Sequence, residues 1–195
     1  DSLVGFDLEK GGIGPGVAER WTRADDGKSW TFYLRKGLKF HNGDPVTAHD
    51  VKFSLERIMT PESISSGAAA LRRAVDKIEV VDDHTVRVHT TEPSPNLWDY
   101  IGREPLVPKA YTIKNGVAGL NERPVGTGPW RMVEWKRKDS MRFERFDGYW
   151  GAAPQFKRLR WEFIDVPNAD VMLRGIHPWM GPDKNLSLIE KFVER

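Results

Sequence analysis

Few residues in this sequence have the types and spacing of a reactive site, and the clearest candidates are two glycine motifs. Gly11–Gly16 contains G-x-G-x-G, and Gly27-Lys28-Ser29 has the last residues of a phosphate-loop motif. A phosphate loop also needs a glycine about five residues before its Gly-Lys pair, where this chain has Thr22. It needs a helix after that pair, where Trp30 begins a strand pattern instead. We therefore interpret both motifs as turn glycines.

The histidines and acidic pairs form no recognisable metal or catalytic motif. His84 and His89 are an odd number of positions apart, so they would point to opposite faces of one strand. Asp25-Asp26 and Asp82-Asp83 lie in predicted turns, where carboxylates commonly cap backbone amides. The sequence has no cysteine and no G-x-S-x-G motif. It therefore predicts no enzyme, no metal site and no cofactor. The five histidines are His41, His49, His84, His89 and His177.

Nucleic-acid binding is an alternative because one part of the chain is basic and aromatic. Residues 131–160 contain nine Lys or Arg and four Asp or Glu, although the whole chain has a net charge of only +2. A binding platform needs cations and aromatic rings on one face, whereas strand alternation predicts them on opposite faces. Retention on heparin that disappears at modest salt would favour the alternative. The aromatic residues are Trp135, Phe143, Phe146 and Trp150.

The elements that position these residues are predicted most clearly at 18–57. From Trp30 to Leu34 the large apolar side chains alternate with polar ones, as in a half-buried strand. Asn42-Gly43 predicts a turn. Thr47 and Asp50 have the spacing of a helix capping box. The helix that follows has apolar residues at helical spacing, namely Ala48, Val51, Leu55 and Ile58.

Further along, the pattern predicts a hairpin and then a strand-rich second half. Ile78–Val81 and Thr85–Thr91 read as the two hairpin strands, and 96–101 as one or two helical turns. Asn115–Asn121 reads as a linker because it is rich in Gly and Asn. Three alternating segments then predict a sheet with one solvated face, namely 130–135, 140–146 and 158–164.

In this order, the segments resemble the peptide- and nickel-binding class of bacterial extracytoplasmic solute-binding proteins, family 5. These proteins are the receptors that feed ABC importers. The resemblance begins in Ala18–Arg57 and continues through Val80–Pro95, Val107–Lys109, Arg123–Trp135 and Phe143–Gly151. Several independent segments in the order of the family make a chance match a poor explanation.

The resemblance implies an α/β (mixed α+β) fold, namely one lobe of a two-lobed periplasmic binding protein of type II, with a mixed sheet and an inserted α/β sub-module. Within that lobe, residues 1–17 and 119–195 would form the core sub-module. Residues 18–118 would form the inserted one.

The chain departs from the family pattern beyond Ile164, where a second lobe would normally follow. Val171–Gly181 instead resembles the closing segment of some peptide-binding members. We therefore expect a first lobe with its second lobe missing and a splice near 165–170. A signal peptide is expected to be absent from this sequence, and no run approaches the ~20 apolar residues of a membrane span.

By resemblance, the protein would capture a peptide or similar small polar solute between two lobes and deliver it to ABC permease membrane subunits outside the cytoplasm. It would bind no nucleic acid and insert in no membrane, and this chain alone would bind solute weakly or not at all. The ligand stays open among peptide, opine, oligosaccharide, haem and nickel chelate. A stand-alone protein-interaction module is the other alternative. The candidate ligand-binding residues are Trp98, Tyr100, Arg103, Gly126, Thr127, Gly128 and Trp130.

Overall fold

Nine strands and four helices lie in the part of the chain that the structure, a computed structural model, describes, residues 1–7 and 11–163. The mixed α/β content predicted from the sequence is confirmed. The strands are β1 (Val4–Phe6), β2 (Ile13–Pro15), β3 (Ala18–Arg23), β4 (Ser29–Leu34), β5 (Val75–Asp82), β6 (Thr85–Thr90), β7 (Trp130–Lys136), β8 (Ser140–Arg145) and β9 (Arg158–Glu162). The helices are α1 (Ala48–Ile58), α2 (Ala68–Ala74), α3 (Leu97–Ile101) and α4 (Lys109–Glu122).

The chain divides into two units, each with its own sheet. The first unit comprises Asp1–Asn121 and Val125–Thr127, and the second comprises Glu122–Pro124 and the described residues from Gly128 onward. The first contains the pair β1-β2 and a four-stranded sheet in the order β3-β4-β6-β5, and the second contains the sheet β7-β8-β9. Every pairing between described strands is antiparallel. The mixed core sheet and the sub-module boundaries stay predictions about the family fold.

Strand β4 shows why the first sheet forms. Trp30, Phe32 and Leu34 are 7%, 0% and 2% exposed, so the predicted alternation is confirmed. Gly27 has φ 70°, and the strand follows it directly, so Gly27-Lys28-Ser29 is a turn entering a strand rather than a phosphate loop.

Helix α1 covers the first sheet and begins where the capping box predicted. The backbone N–H of Thr47 donates to Asp50 Oδ2 at 2.9 Å, and the Thr47 hydroxyl donates to the same oxygen at 2.8 Å. The other carboxylate oxygen of Asp50 accepts from the backbone N–H of Lys109 at 2.9 Å. One buried carboxylate therefore caps α1 and also fixes the start of α4.

The predicted linker at Asn115–Asn121 is wrong, because these residues lie in α4. Gly116 interrupts the helix with φ 67° and ψ −179°, a conformation open essentially to glycine alone. The glycine signal was therefore correctly located, but it marks a break within a helix rather than the end of regular structure.

The second sheet places its cross-strand Arg-Glu pairs and most of its apolar side chains on opposite faces. Cross-strand partners share a face, and Arg131 pairs with Glu144 while Glu134 pairs with Arg142. The other face holds the pairs of Met141 with Trp161 and of Phe143 with Leu159, together with Met132 and Trp135. The predicted alternation is confirmed for these pairs, but Trp130 and Arg145 are cross-strand partners, so one cation shares the apolar face.

The expected splice at 165–170, the closing segment Val171–Gly181 and His177 lie outside the described residues. Across residues 1–7 and 11–163, the structure has no helix with the length and apolar character of a membrane span.

Candidate functional site

Helix α3 presents the two aromatic residues predicted to contact a ligand. Leu97 and Ile101 are fully buried and, being four residues apart, anchor one face of this short helix in the core. Trp98 is consequently half-buried, and Tyr100 is 36% exposed. Both rings therefore retain accessible surface, as a ligand contact requires.

Arg103 follows α3 directly and is exposed, whereas its neighbour Glu104 is buried. Within the described residues, the Arg103 side chain forms no ion pair. The Glu104 carboxylate accepts from the Ser65 hydroxyl at 2.7 Å. Glu104 thus ties the segment after α3 to the loop before α2 and helps to hold Arg103 at the surface.

Gly126 and Thr127 are fixed by hydrogen bonds from distant parts of the first unit. The backbone N–H of His41 donates to the Gly126 carbonyl at 2.9 Å, and the Gly126 N–H donates to His41 Nδ1 at 3.3 Å. Thr127 is buried, and its hydroxyl accepts from the Asp1 backbone nitrogen at 3.0 Å. An added Cβ on Gly126 would meet the His41 ring at 3.8 Å, an ordinary contact, so the protein itself does not require glycine there.

The extended segment Asp1-Ser2 brings these candidates into one neighbourhood. The Asp1 carbonyl accepts from the Leu106 N–H at 3.1 Å, and Ser2 forms a bridge with Pro105. The backbone nitrogen of Asp1 meets Thr127, as described above. The segment that follows Arg103 and the segment containing Thr127 are therefore both attached to Asp1-Ser2.

The two remaining candidates belong to the second unit. Trp130 is half-buried at the start of β7, where it pairs with Arg145 across the strands. Gly128 precedes this strand by two positions. The structure therefore places five candidate residues in the first unit and two in the second.

Among the described residues of the first unit, two carboxylates are buried, those of Asp50 and Glu104. The sequence predicts the role of the first better than that of the second. The capping-box spacing identifies Asp50 as a helix cap, but nothing local predicts its bond to Lys109. Glu104 has no local signal, because its partner Ser65 lies 39 positions away.

Two of the four turn carboxylates, Asp26 and Asp82, cap backbone amides as predicted. The backbone N–H of Lys28 donates to Asp26 at 2.9 Å, and that of His84 donates to Asp82 at 2.7 Å. The bond from His84 and the bonds from Thr85 hold the pKa of the Asp82 carboxyl below its usual value. Asp82 is therefore a turn cap that stays ionised, which is unsuited to general acid catalysis at neutral pH.

The described histidines are dispersed. His41 contacts Gly126, His49 lies 3.9 Å from Asp83, and His89 Nε2 lies 2.8 Å from Glu79 Oε2. The hydrogen bond with His89, followed by the positive charge of Arg87, holds the pKa of the Glu79 carboxyl below its usual value. In residues 1–7 and 11–163, no three metal-ligating side chains come together.

Comparison with known proteins decides the family. Residues 12–175 match the model of the bacterial extracellular solute-binding proteins, family 5 Middle. The chain belongs to this family. The dipeptide-binding protein of Escherichia coli K12 is 32% identical to this family 5 chain over 191 residues, which is 87% of the chain and 35% of the relative.

Solved structures of family 5 relatives show the same fold. The binding protein AgaA of A. tumefaciens R10, solved with agropinic acid, has a TM-score of 0.79 and 34% identity. The match covers 88% of this chain and 35% of the AgaA chain. NikZ of Campylobacter jejuni, solved with Ni(L-His), has a TM-score of 0.78 and 26% identity. The match covers 89% of this chain and 35% of the NikZ chain. The neighbours are two-lobed periplasmic binding proteins. This chain spans about a third of their length.

Family 5 membership gives the class of protein to which the relatives belong. The family comprises solute-binding receptors that work with ABC permeases, and its binding proteins are periplasmic. The relatives are binding proteins rather than enzymes. The candidate contacts on α3 and around Gly126 are thus candidates for solute binding.

Proposed function

We propose that this chain is the first lobe of a receptor that captures a peptide or a similar small polar solute and delivers it to an ABC permease. The match of residues 12–175 to the family 5 model carries the proposal. The relatives' names and titles include dipeptide, agropinic acid and Ni(L-His) ligands. A polar solute with a carboxylate is common to all three.

The geometry supports a half-site for such a solute. The exposed Arg103 can donate two parallel hydrogen bonds to a carboxylate, and Trp98 and Tyr100 offer apolar contact area beside it. The buried Glu104 and the anchored helix α3 restrict how far Arg103 can move. The proposed contacts also include Gly126 and Thr127 of the same unit. Gly128 and Trp130 belong to the second unit and stay proposed contacts on their residue types alone.

Arg103 provides the first test, in the longer polypeptide from which this lobe would come. Mass spectrometry of compounds that copurify with it identifies the solute. Arg103→Ala should then weaken affinity by about tenfold to a hundredfold, because a bidentate contact to a carboxylate is lost. Lys36→Ala, at an exposed position of the same unit, should leave affinity unchanged. Equal affinity of the Arg103 variant and the wild type would remove this residue from the site.

The 195-residue chain provides the second test, because a site built between two lobes is only half present in one. Titration calorimetry of this chain with a pool of dipeptides and tripeptides should give no binding in the micromolar range. Micromolar or tighter binding would contradict the proposed division of the site between lobes.

A further inference from the structure

We propose that the groove between α1 and the free edge of β5 binds an extended, acidic peptide segment of a partner protein by strand addition. This inference goes beyond the proposed solute receptor, because the groove contains none of the candidate solute contacts. It lies wholly in the first unit and has a volume of about 680 Å³, within the range of ligand sites. Its walls are His49, Lys52, Phe53 and Glu56 of α1, residues 77–80 of β5, and Lys109.

Strand β5 offers the groove an unpaired backbone. It is the last strand of the order β3-β4-β6-β5, and β6 is its only partner among the described strands. Its outer N–H and C=O groups are therefore available to a strand from another protein, which is the basis of strand addition. At eight residues, β5 is long for an edge strand, which proteins usually keep short.

Two bulges restrict where a partner could pair. The register of β5 against β6 shifts between Val75 and Lys77 and again between Val80 and Asp82. The regular stretch between them is residues 77–80, the same four residues that line the groove. The stretch of β5 that has regular backbone geometry is therefore the stretch that lines the groove. The bulges on either side make the rest of the β5 edge unfavourable for pairing with another strand.

The charges of the groove favour an acidic partner. Its two acidic side chains already have cationic partners, because Glu56 lies 3.6 Å from Lys52 and Glu79 lies 3.7 Å from Arg87. Lys77 and Lys109 are exposed and form no ion pair within 4.0 Å with another described residue. Two cations therefore remain for carboxylates, and the same lysines repel a basic strand.

The apolar wall gives the partner a place for an uncharged side chain. Phe53 of α1 is half-buried, and Ile78 and Val80 of β5 lie beside it in the groove. Because side chains of a strand alternate, a partner with acidic and aliphatic residues in alternation fits both the lysines and this wall.

The probe is a fluorescein-labelled peptide of alternating Glu and Val residues with blocked ends, added to the 195-residue chain. Fluorescence anisotropy should show saturable binding. Lys77→Glu with Lys109→Glu should weaken it at least about tenfold, because two attractions become repulsions. The matched control Lys36→Glu with Lys39→Glu reverses two exposed lysines outside the groove and should change it little.

Two peptide controls separate strand addition from charge attraction. N-methylation of alternate amides removes backbone donors without changing charge. Two such peptides are made, one methylated at the odd positions and one at the even positions, and at least one of them should no longer bind. A peptide with Lys in place of Glu should not bind. Circular dichroism checks the folding of each variant, and Lys77→Ala with Lys109→Ala replaces the charge reversal if that variant unfolds.

Three results would overturn the proposal. They are no binding of the Glu-Val peptide, undiminished binding of both N-methylated peptides, and undiminished binding by the charge-reversed variant. A dimer in sedimentation that the charge reversal prevents would assign the groove to a second copy of the chain instead.

Discussion

The two larger sheets of this chain are built from the same alternating pattern but differ in how far their apolar faces are buried. In the four-stranded sheet of the first unit, Phe32 and Val88 are fully buried, and α1 packs on β5 and β6. On the apolar face of the three-stranded sheet of the second unit, Trp161 is 62% exposed, and Phe143 and Leu159 are only half-buried. Alternation therefore sets which side chains share a face, while a covering element decides whether that face becomes a core.

The sharpest test of this comparison removes one aromatic side chain from each sheet. Phe32→Ala should lower the free energy of unfolding by about 3–5 kcal/mol, because it leaves a cavity in a closed core. Trp161→Ala should cost less than about 1 kcal/mol, because most of that ring is already in contact with water. Urea unfolding of the 195-residue chain measures both, and equal losses would break the distinction between the two sheets.

A smaller effect is expected from Asp50, whose carboxylate caps α1, the helix that packs on the first sheet. Asp50→Ala should cost about 2–3 kcal/mol, because it leaves the N–H groups of Thr47 and Lys109 without their acceptor. Asp25→Ala serves as the control, since Asp25 is an exposed turn residue. Thermal unfolding should show a lower midpoint for the Asp50 variant alone; an unchanged midpoint would mean that α1 does not depend on this cap.

The ionic face of the second sheet should contribute less than either. Arg142 Nε lies 2.8 Å from Glu134 Oε2, but the Arg142 side chain is 57% exposed and the Glu134 side chain 35% exposed. A double-mutant cycle with Glu134→Ala and Arg142→Ala should give a coupling free energy of about 0.2–1 kcal/mol. A coupling above about 2 kcal/mol would show that this face is desolvated, against the exposure seen here.

The smallest effect concerns pH and the solvated face of the first sheet. The hydrogen bond with His89 lowers the pKa of the Glu79 carboxyl in the folded protein. This interaction therefore stabilises the fold fully at pH values above the pKa that Glu79 has in the unfolded chain. The stabilisation is lost as pH falls through the lower pKa that Glu79 has in the folded protein. The stability advantage of the wild type over Glu79→Gln should therefore shrink as pH drops below about 4.5. Urea midpoints of both proteins across that range measure it, and a gap that widens in acid would reverse the assigned sign.

The parts of the fold that the sequence predicts are those that depend on residues close together in the chain. Thr47 and Asp50 are three positions apart, and the helix they begin was predicted at its first residue. Gly116 was read as part of a linker, because sequence alone does not distinguish a helix break from a loop when the helix on each side is short. The strands β7, β8 and β9 were predicted from alternation alone.

The candidate site was less predictable, because its residues meet through long-range contacts. The charge of Arg103 makes it a candidate from the sequence, but nothing local indicates the bond between its neighbour Glu104 and the distant Ser65. The same holds for Asp1 and Thr127, which are 126 positions apart in sequence and bonded in the fold. The groove beside β5 was not anticipated either, because strand order in a sheet is a tertiary property.

The sequence by itself determined the family, the positions of most strands, the helix cap at Thr47 and the faces on which side chains lie. Those features depend on local backbone preference and on side-chain period, which a few neighbouring residues suffice to set. Only the tertiary structure decided which faces are covered, where Gly126 and Arg103 are held, and that β5 is left at an edge. These depend on contacts between residues far apart in the chain, where burial and hydrogen bonding are settled by the whole fold rather than by any segment.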